Sequence, residues 1–228
     1  MERKFVITID GPAGAGKSTL SRLLAERLNY TYIDSGALYR AVALKVQEKG
    51  IDPDDEESLS RLCRGLTLSF RQRNGKLSLI VEGRDVTEAI RAPEVSMLAS
   101  RVSAKQVVRE ALLDLQRKLG DAGGIVVEGR DMGTVVFPHA QVKFFLDASL
   151  EARGTRRCEQ YRAEGKVYDV NAIKQDMEKR DGDDTKRALS PLKPADGAVM
   201  IDSTDMSIEE VVAEMLKTVA KHAASPSK

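Results

Sequence analysis

The sequence predicts an α/β fold: an open parallel sheet flanked by helices, carrying an inserted antiparallel β element and a helical lid. Three observations predict it. Short apolar runs rich in β-branched residues alternate with stretches of helical periodicity, as a sheet covered on both faces requires. The first such run, Phe5-Val6-Ile7-Thr8-Ile9-Asp10, leads through a glycine-rich octapeptide into Thr19-Leu20-Ser21-Arg22-Leu23-Leu24-Ala25, whose apolar residues have helical spacing. One segment breaks the alternation: Leu66–Phe70 and Leu77–Val81 alternate apolar and polar residues around Asn74-Gly75, a hairpin signal in helix-rich surroundings.

The octapeptide, Gly11-Pro12-Ala13-Gly14-Ala15-Gly16-Lys17-Ser18, reads G-x-x-x-x-G-K-S. A buried strand that delivers such a loop to a helix N-terminus turns successive N–H groups inward as a nest for phosphate oxygens. The helix dipole adds about half a positive charge and Lys17 a whole one. Ser18 places a hydroxyl where Mg²⁺ is held in such loops. The glycine spacing does not fit G-x-G-x-x-G, so a dinucleotide loop is excluded. The expected ligand is a nucleoside triphosphate, and the expected architecture is of the P-loop NTPase type.

The remaining elements follow in order. The helix Lys17–Leu28 is succeeded by a strand Tyr30–Ile33 ending in Asp34-Ser35-Gly36, and then by a helix from Tyr39 to Lys49. The acidic run 52–57, Asp-Pro-Asp-Asp-Glu-Glu, resembles a metal cluster. However, Asp52 as N-cap, Pro53 at the first position and acids in the first turn are what a helix start prefers. A long helix over Glu94–Leu119 leads to Gly123-Gly124 and the strand Ile125–Val127. Val142–Leu146 and Ala198–Ile201 are the last strands, Ile208–Val219 is an amphipathic closing helix, and Ser225–Lys228 is a frayed tail. Residues 153–187 form a helical stretch with ten basic and eight acidic side chains. Most of these are solvated pairs. Arg153, Arg156 and Arg157 crowd three guanidinium groups into five residues, a repulsion that phosphates would relieve, and this marks a mobile lid.

Composition narrows the partners. Thirty-six Lys and Arg balance thirty-five Asp and Glu, so no general polyanion-binding field is expected and nucleic acid is excluded as a partner. Cys63 and Cys158 match no metal or redox spacing, and two histidines, His139 and His222, cannot build a histidine-rich metal site. The start Met1-Glu2-Arg3-Lys4 runs into the first strand without a signal peptide, and no stretch is apolar enough to span a membrane. A cytoplasmic protein without membrane partners is expected.

A loop of this kind serves kinases, switches and motors alike. A guanine-reading Asn-Lys-x-Asp is absent, and Asp121-Ala122-Gly123-Gly124 spells D-x-x-G on the wrong side of its strand. The segment in the right place is Glu128-Gly129-Arg130-Asp131-Met132-Gly133, after Ile125–Val127, where a parallel strand delivers Arg130 and Asp131 to the crevice at its C-terminal end. The near copy Glu82-Gly83-Arg84-Asp85 follows the hairpin and reads as structural. Tyr39 reads as packing and His139 as solvent-facing. Asp202-Ser203-Thr204 either touches a base or caps the closing helix, with capping the safer reading.

Together, Ile9–Thr19, Asp34-Ser35-Gly36-Ala37-Leu38-Tyr39-Arg40, Gly129-Arg130-Asp131-Met132-Gly133-Thr134-Val135-Val136-Phe137-Pro138 and Lys186-Arg187-Ala188-Leu189-Ser190-Pro191-Leu192 resemble the bacterial cytidylate kinases, a nucleoside monophosphate kinase group, over nearly the whole chain. The resemblance implies transfer of a phosphoryl group from ATP, with Mg²⁺, to CMP or dCMP. It also implies a P-loop core over 1–35, 97–149 and 188–228, a CMP-binding domain with the hairpin insertion over 36–96, and an arginine-rich lid over 150–187. ATP is held by Gly11 through Thr19. Lys17, Arg130, Arg153 and Arg157 act on the transferring phosphate. Ser35, Arg40, Ser100, Arg109, Arg130, Asp131, Arg180, Asp184 and Arg187 hold the acceptor. A monomer is expected. The alternatives are another small-molecule kinase on the same scaffold, such as a shikimate or uridylate enzyme, and a non-catalytic nucleotide-gated ATPase.

Overall fold

In the computed structural model, residues 4–73, 76–163 and 165–224 are described. The turn Asn74-Gly75, the start Met1–Arg3 and the tail Ser225–Lys228 lie outside them. The chain divides into two compact units, one made of Met1–Tyr32 with Ala122–Lys228 and the other of Ile33–Asp121.

The first unit is built on a five-stranded sheet in the order β2-β6-β1-β7-β8, where β1 is Val6–Asp10, β2 Thr31–Asp34, β6 Ile125–Gly129, β7 Val142–Asp147 and β8 Val199–Asp202. The strand β1 pairs parallel with β6, Val6 facing Ile125, and with β7, Ile7 facing Val142; β8 extends the sheet parallel to β7. Every residue of β6 is buried, as a central parallel strand covered on both faces demands. Ile7, Ile9, Val126, Phe144 and Leu146 meet Leu20 and Leu24 of α1 (Lys17–Leu28) and Val211, Met215 and Val219 of α8 (Ile208–Ala224) in one apolar core. The lid stretch forms two helices, α6 (Leu150–Ala163) and α7 (Val170–Lys186). A small apolar cluster, Cys158, Ile173 and Met177 with Leu150, Tyr161 and Tyr168, joins them, together with the Arg153–Asp181 and Lys174–Glu151 ion pairs.

The second unit has its own core. Leu38, Ala41, Val42 and Val46 of α2 (Ser35–Glu48) pack with Leu59 of α3 (Glu56–Gly65), Val102 of α4 (Pro93–Ser103), and Val108 and Leu112 of α5 (Gln106–Gly120). The expected hairpin is present as β3 (Leu68–Arg73) antiparallel to β4 (Lys76–Val81), with Leu68 opposite Val81, and a two-residue β5 (Arg84–Asp85) makes it a three-stranded sheet.

Four local expectations are corrected. The acidic run starts its helix three residues late: the Asp52 side chain accepts from Asp54 N as a turn, and Asp55 is the N-cap, accepting from Ser58 N at 3.0 Å. The helix after β2 begins at Ser35, because Asp34 caps it through Ala37 N. The single helix over 94–119 is two, α4 and α5. The Ser103 hydroxyl donates back to Ser100 O at 2.9 Å and Arg109 donates to Ser103 O at 3.1 Å, taking carbonyls that a continuous helix would use. The closing helix is capped not by Asp202–Thr204 but by Ser207, whose hydroxyl accepts from Glu210 N while the Glu210 carboxylate accepts from Ser207 N.

Candidate active site

In the first unit the loop 11–16 leaves β1 at its C-terminal end. Gly11 sits at φ +150°, and a Cβ there would lie 1.9 Å from the Leu146 carbonyl oxygen, so only glycine lets β1 turn beside β7. Gly16, at φ 94°, is the left-handed N-cap of α1, and Lys17 is its first residue. Lys17 is buried, and its ammonium donates to Pro12 O at 2.6 Å. Burial, together with the charges of Arg130 and Arg180, pulls its pKa down to about 7 against the opposing pull of Glu128 and Asp10. Gly14, Ser18 and Thr19 are exposed on the mouth of the loop, whereas Ala15 is buried.

Asp10, the last residue of β1, fastens the neighbouring strand end. Its two carboxylate oxygens accept from Met132 N at 2.9 Å and Gly133 N at 2.8 Å. These amides open a single π-helical turn, Met132–Val136, directly after Arg130 and Asp131. The arrangement sets the direction in which both side chains leave β6. Burial raises the Asp10 carboxyl to about 6, with Asp131 adding to the rise and the two amides and Lys17 opposing it.

Arg130 donates from Nε to Asp184 at 2.8 Å. Arg187 lies 3.6 Å from the other Asp184 oxygen and 4.0 Å from Asp131. Burial would raise the Asp184 carboxyl, but Arg130, Arg180 and Arg187 outweigh it and hold the group below the usual carboxylate range. So Arg130 and Asp131, just past the end of β6, Arg180 and Asp184 from α7, and Arg187, just past the end of that helix, form one charge-paired cluster. The near copy differs: Arg84 is a largely exposed residue of β5 paired with Glu48.

The lid arginines diverge from one another. Arg153 is buried, donating to Ala148 O at 2.9 Å and to Ala13 O at 3.0 Å and pairing with Asp181. Arg156 reaches Ser203. Arg157 bonds Gln160 and lies 4.8 Å over the Tyr161 ring. Backbone carbonyls, a carboxylate and an aromatic face thus absorb the crowding read from sequence as a phosphate signal. Asp10, Asp181 and the Arg156–Ser203 pair were not singled out by sequence reasoning. Asp10 belongs to the quoted motif, but Asp181 is one acid among many on a charge-laced helix.

In the second unit, Arg40 folds back onto Asp34 at 2.6 Å, which Gly36 permits: a Cβ there would lie 2.9 Å from the guanidinium. Ser35 is buried at the start of α2, and Ser100 is half-buried on α4. Arg109 lies 5.5 Å over the ring of Tyr39, so that buried tyrosine packs as expected and also orients a candidate contact.

Among the described residues no group of three or more His, Cys, Asp or Glu could hold a metal ion. The oxygens of Asp10 are taken by amides, while Ser18 remains exposed. A lone hydroxyl suits magnesium, which keeps water and phosphate oxygens as its main ligands. No helix among the described residues is long and apolar enough to cross a membrane.

A parallel sheet with a glycine loop after β1, a buried loop lysine and arginines at the end of the adjacent strand defines a P-loop kinase. The cytidylate kinase family model matches residues 7–221. A cytidylate kinase of Syntrophotalea carbinolica is 49% identical over 97% of this chain and 94% of its own. One of Pasteurella multocida is 45% identical over 97% of this chain and 98% of its own. The chain belongs to the cytidylate kinase family. Among solved structures, a gluconokinase from Sinorhizobium meliloti shares the fold at a TM-score of 0.50 and 17% identity, over 97% of this chain and 95% of that one.

Proposed function

We propose that this chain transfers the terminal phosphoryl group of ATP to CMP or dCMP, giving CDP or dCDP and ADP, with the candidate residues in the following roles. The acceptor oxygen is already anionic, so the reaction needs positioning and charge neutralisation rather than a strong base. The loop 11–19 seats the triphosphate, and Lys17 leaves the Pro12 carbonyl to follow the transferring group. Magnesium held by Ser18 and phosphate oxygens would neutralise charge on the donor.

Arg130 faces the acceptor phosphate, with Arg40 from the second unit as the further phosphate contact. Arg153 and Arg157 serve the donor side. Asp131 accepts from the cytosine exocyclic amine while Arg187, Ser100 and Arg109 contact the base, and Ser35, Arg180 and Asp184 take the ribose and phosphate. A monomer in the cytoplasm, with neither nucleic acid nor membrane as partner, completes the reading.

The observation that carries it is the buried Lys17 of the loop with Arg130 at the end of the adjacent strand. Burial first, and then the charges of Arg130 and Arg180, hold the lysine's pKa down, and phosphate-bearing substrates would offset those charges. The test is a coupled assay of CMP, UMP, AMP and shikimate with MgATP. CMP turns over fast; UMP, which turns a carbonyl toward the Asp131 carboxylate, is poor. Arg130→Ala loses at least ~10³ in kcat/KM, at the low end of what a transition-state arginine supplies, while Arg84→Ala keeps wild-type turnover. Equal effects of the two substitutions, or ADP formation indifferent to CMP, defeat the assignment.

A further inference from the structure

We infer that Asp181 is a positioning residue that ties the acceptor-contacting helix α7 to the donor loop, so that filling one nucleotide site tightens the other. The inference rests on the donor and acceptor assignments proposed above. One oxygen of Asp181 accepts from Ala13 N at 3.1 Å, and the other pairs with Arg153, which in turn donates to Ala13 O at 3.0 Å. Both polar groups of a single loop residue are therefore clasped by one ion pair.

The contact is close along its length. A Cβ on Gly14, the next loop residue, would lie 2.5 Å from Met177 Cε and 3.2 Å from Arg153 Cβ. Met177 stands four residues before Asp181, on the same face of α7. The adjacent stripe of that helix holds Arg180 and Asp184 at a spacing of four, with Arg187 just past its C-terminal end, and Asp184 grips Arg130 at 2.8 Å. One rigid rod thus touches the loop on one stripe and the acceptor cluster on the next. A nucleotide that fixes the rod from either side removes freedom the second nucleotide would otherwise have to remove.

Removing the Asp181 carboxylate leaves the acceptor stripe intact but frees the loop from it and leaves the buried Arg153 charge without its acid. The chain contains no tryptophan, so the test uses calorimetry. CMP is titrated into the full chain alone and with saturating Mg²⁺ and the β,γ-imido analogue of ATP. In the wild type the analogue tightens CMP at least ~5-fold, the lower end of ordinary coupling between sites.

Asp181→Ala brings that factor below ~2-fold while CMP affinity in the absence of analogue stays within ~3-fold of wild type, since no acceptor contact is lost. Asp181→Asn keeps an oxygen for Ala13 N but not the ion pair, and falls between; it also serves if the alanine variant folds poorly. Absent coupling in the wild type, full coupling in Asp181→Ala, or a loss of CMP binding without analogue equal to the loss with it overturns the inference. Arg187→Ala, titrated in parallel, loses CMP binding and keeps the analogue. Should it keep CMP, the acceptor assignment itself fails, a result the Asp181 variants cannot imitate.

Discussion

A carboxylate at the end of a buried strand is expensive, and Asp10 is kept because two amides need it. Neither Met132 N nor Gly133 N has a helical partner at the start of its turn, and Asp10 satisfies both. Its pKa, raised from 3.8 to about 6, carries a consequence for stability. Below pH 3.8 the carboxyl is protonated folded and unfolded, and the contribution is fully present. As pH rises toward 6 the unfolded chain ionises first, and the contribution is lost. The interval from 3.8 to about 6 corresponds to roughly 3 kcal/mol. Asp10→Asn does not titrate, so wild-type stability minus that of the variant, from urea melts, falls by about 2–3 kcal/mol between pH 4 and pH 7 and is then flat. A difference that stays level through this range means that Asp10 is ionised at no cost. Asp10 was visible in the sequence only as part of a motif, because its partners are backbone amides more than a hundred residues away and no side-chain pattern announces them.

At the scale of elements, legibility follows how local the determining interaction is. The loop, its strand and its helix could be read because glycine conformations, the strand's β-branched run and the helix periodicity all lie within twenty-five residues. The hairpin and the strands of the sheet were legible for the same reason. The split of α4 from α5 was not, since it depends on a serine hydroxyl and an arginine competing for two carbonyls inside an otherwise helical stretch. The Arg130–Asp184 and Arg187–Asp131 pairs, like the partition of the lid arginines among Ala13, Ser203 and Tyr161, rest on tertiary contacts that no local pattern announces. The glycine that opens the loop makes the sharpest element-scale claim. With a Cβ 1.9 Å from the Leu146 carbonyl, alanine at position 11 forces β1 and β7 apart where they pair at Ile9–Phe144. Gly11→Ala costs on the order of 2–3 kcal/mol in urea unfolding and abolishes ATP binding along with it. A variant as stable as wild type means that the strand ends separate freely.

At the scale of the whole chain, each compact unit carries its own apolar core, and the proposed donor site is made entirely of residues from the first. Backbone amides exchange through local openings whose free energies differ from region to region, and a ligand deepens only those openings that release it. At one hundred times its dissociation constant a ligand stabilises the bound form by about 2.7 kcal/mol, which slows exchange through such openings roughly 100-fold. MgATP alone therefore slows amides of β1, α1, α6 and α7 by up to about that factor. The α6–α7 pair responds with the loop, because Arg153 and Asp181 hold both polar groups of Ala13. Amides of α2, α4 and the β3–β4 hairpin, anchored in the other core, keep their rates within about twofold, since none of their openings releases the donor. Hydrogen exchange read by mass spectrometry with and without MgATP distinguishes the cases. Equal protection in both units would mean that the chain opens as one block and that two separate cores do not make two units of stability.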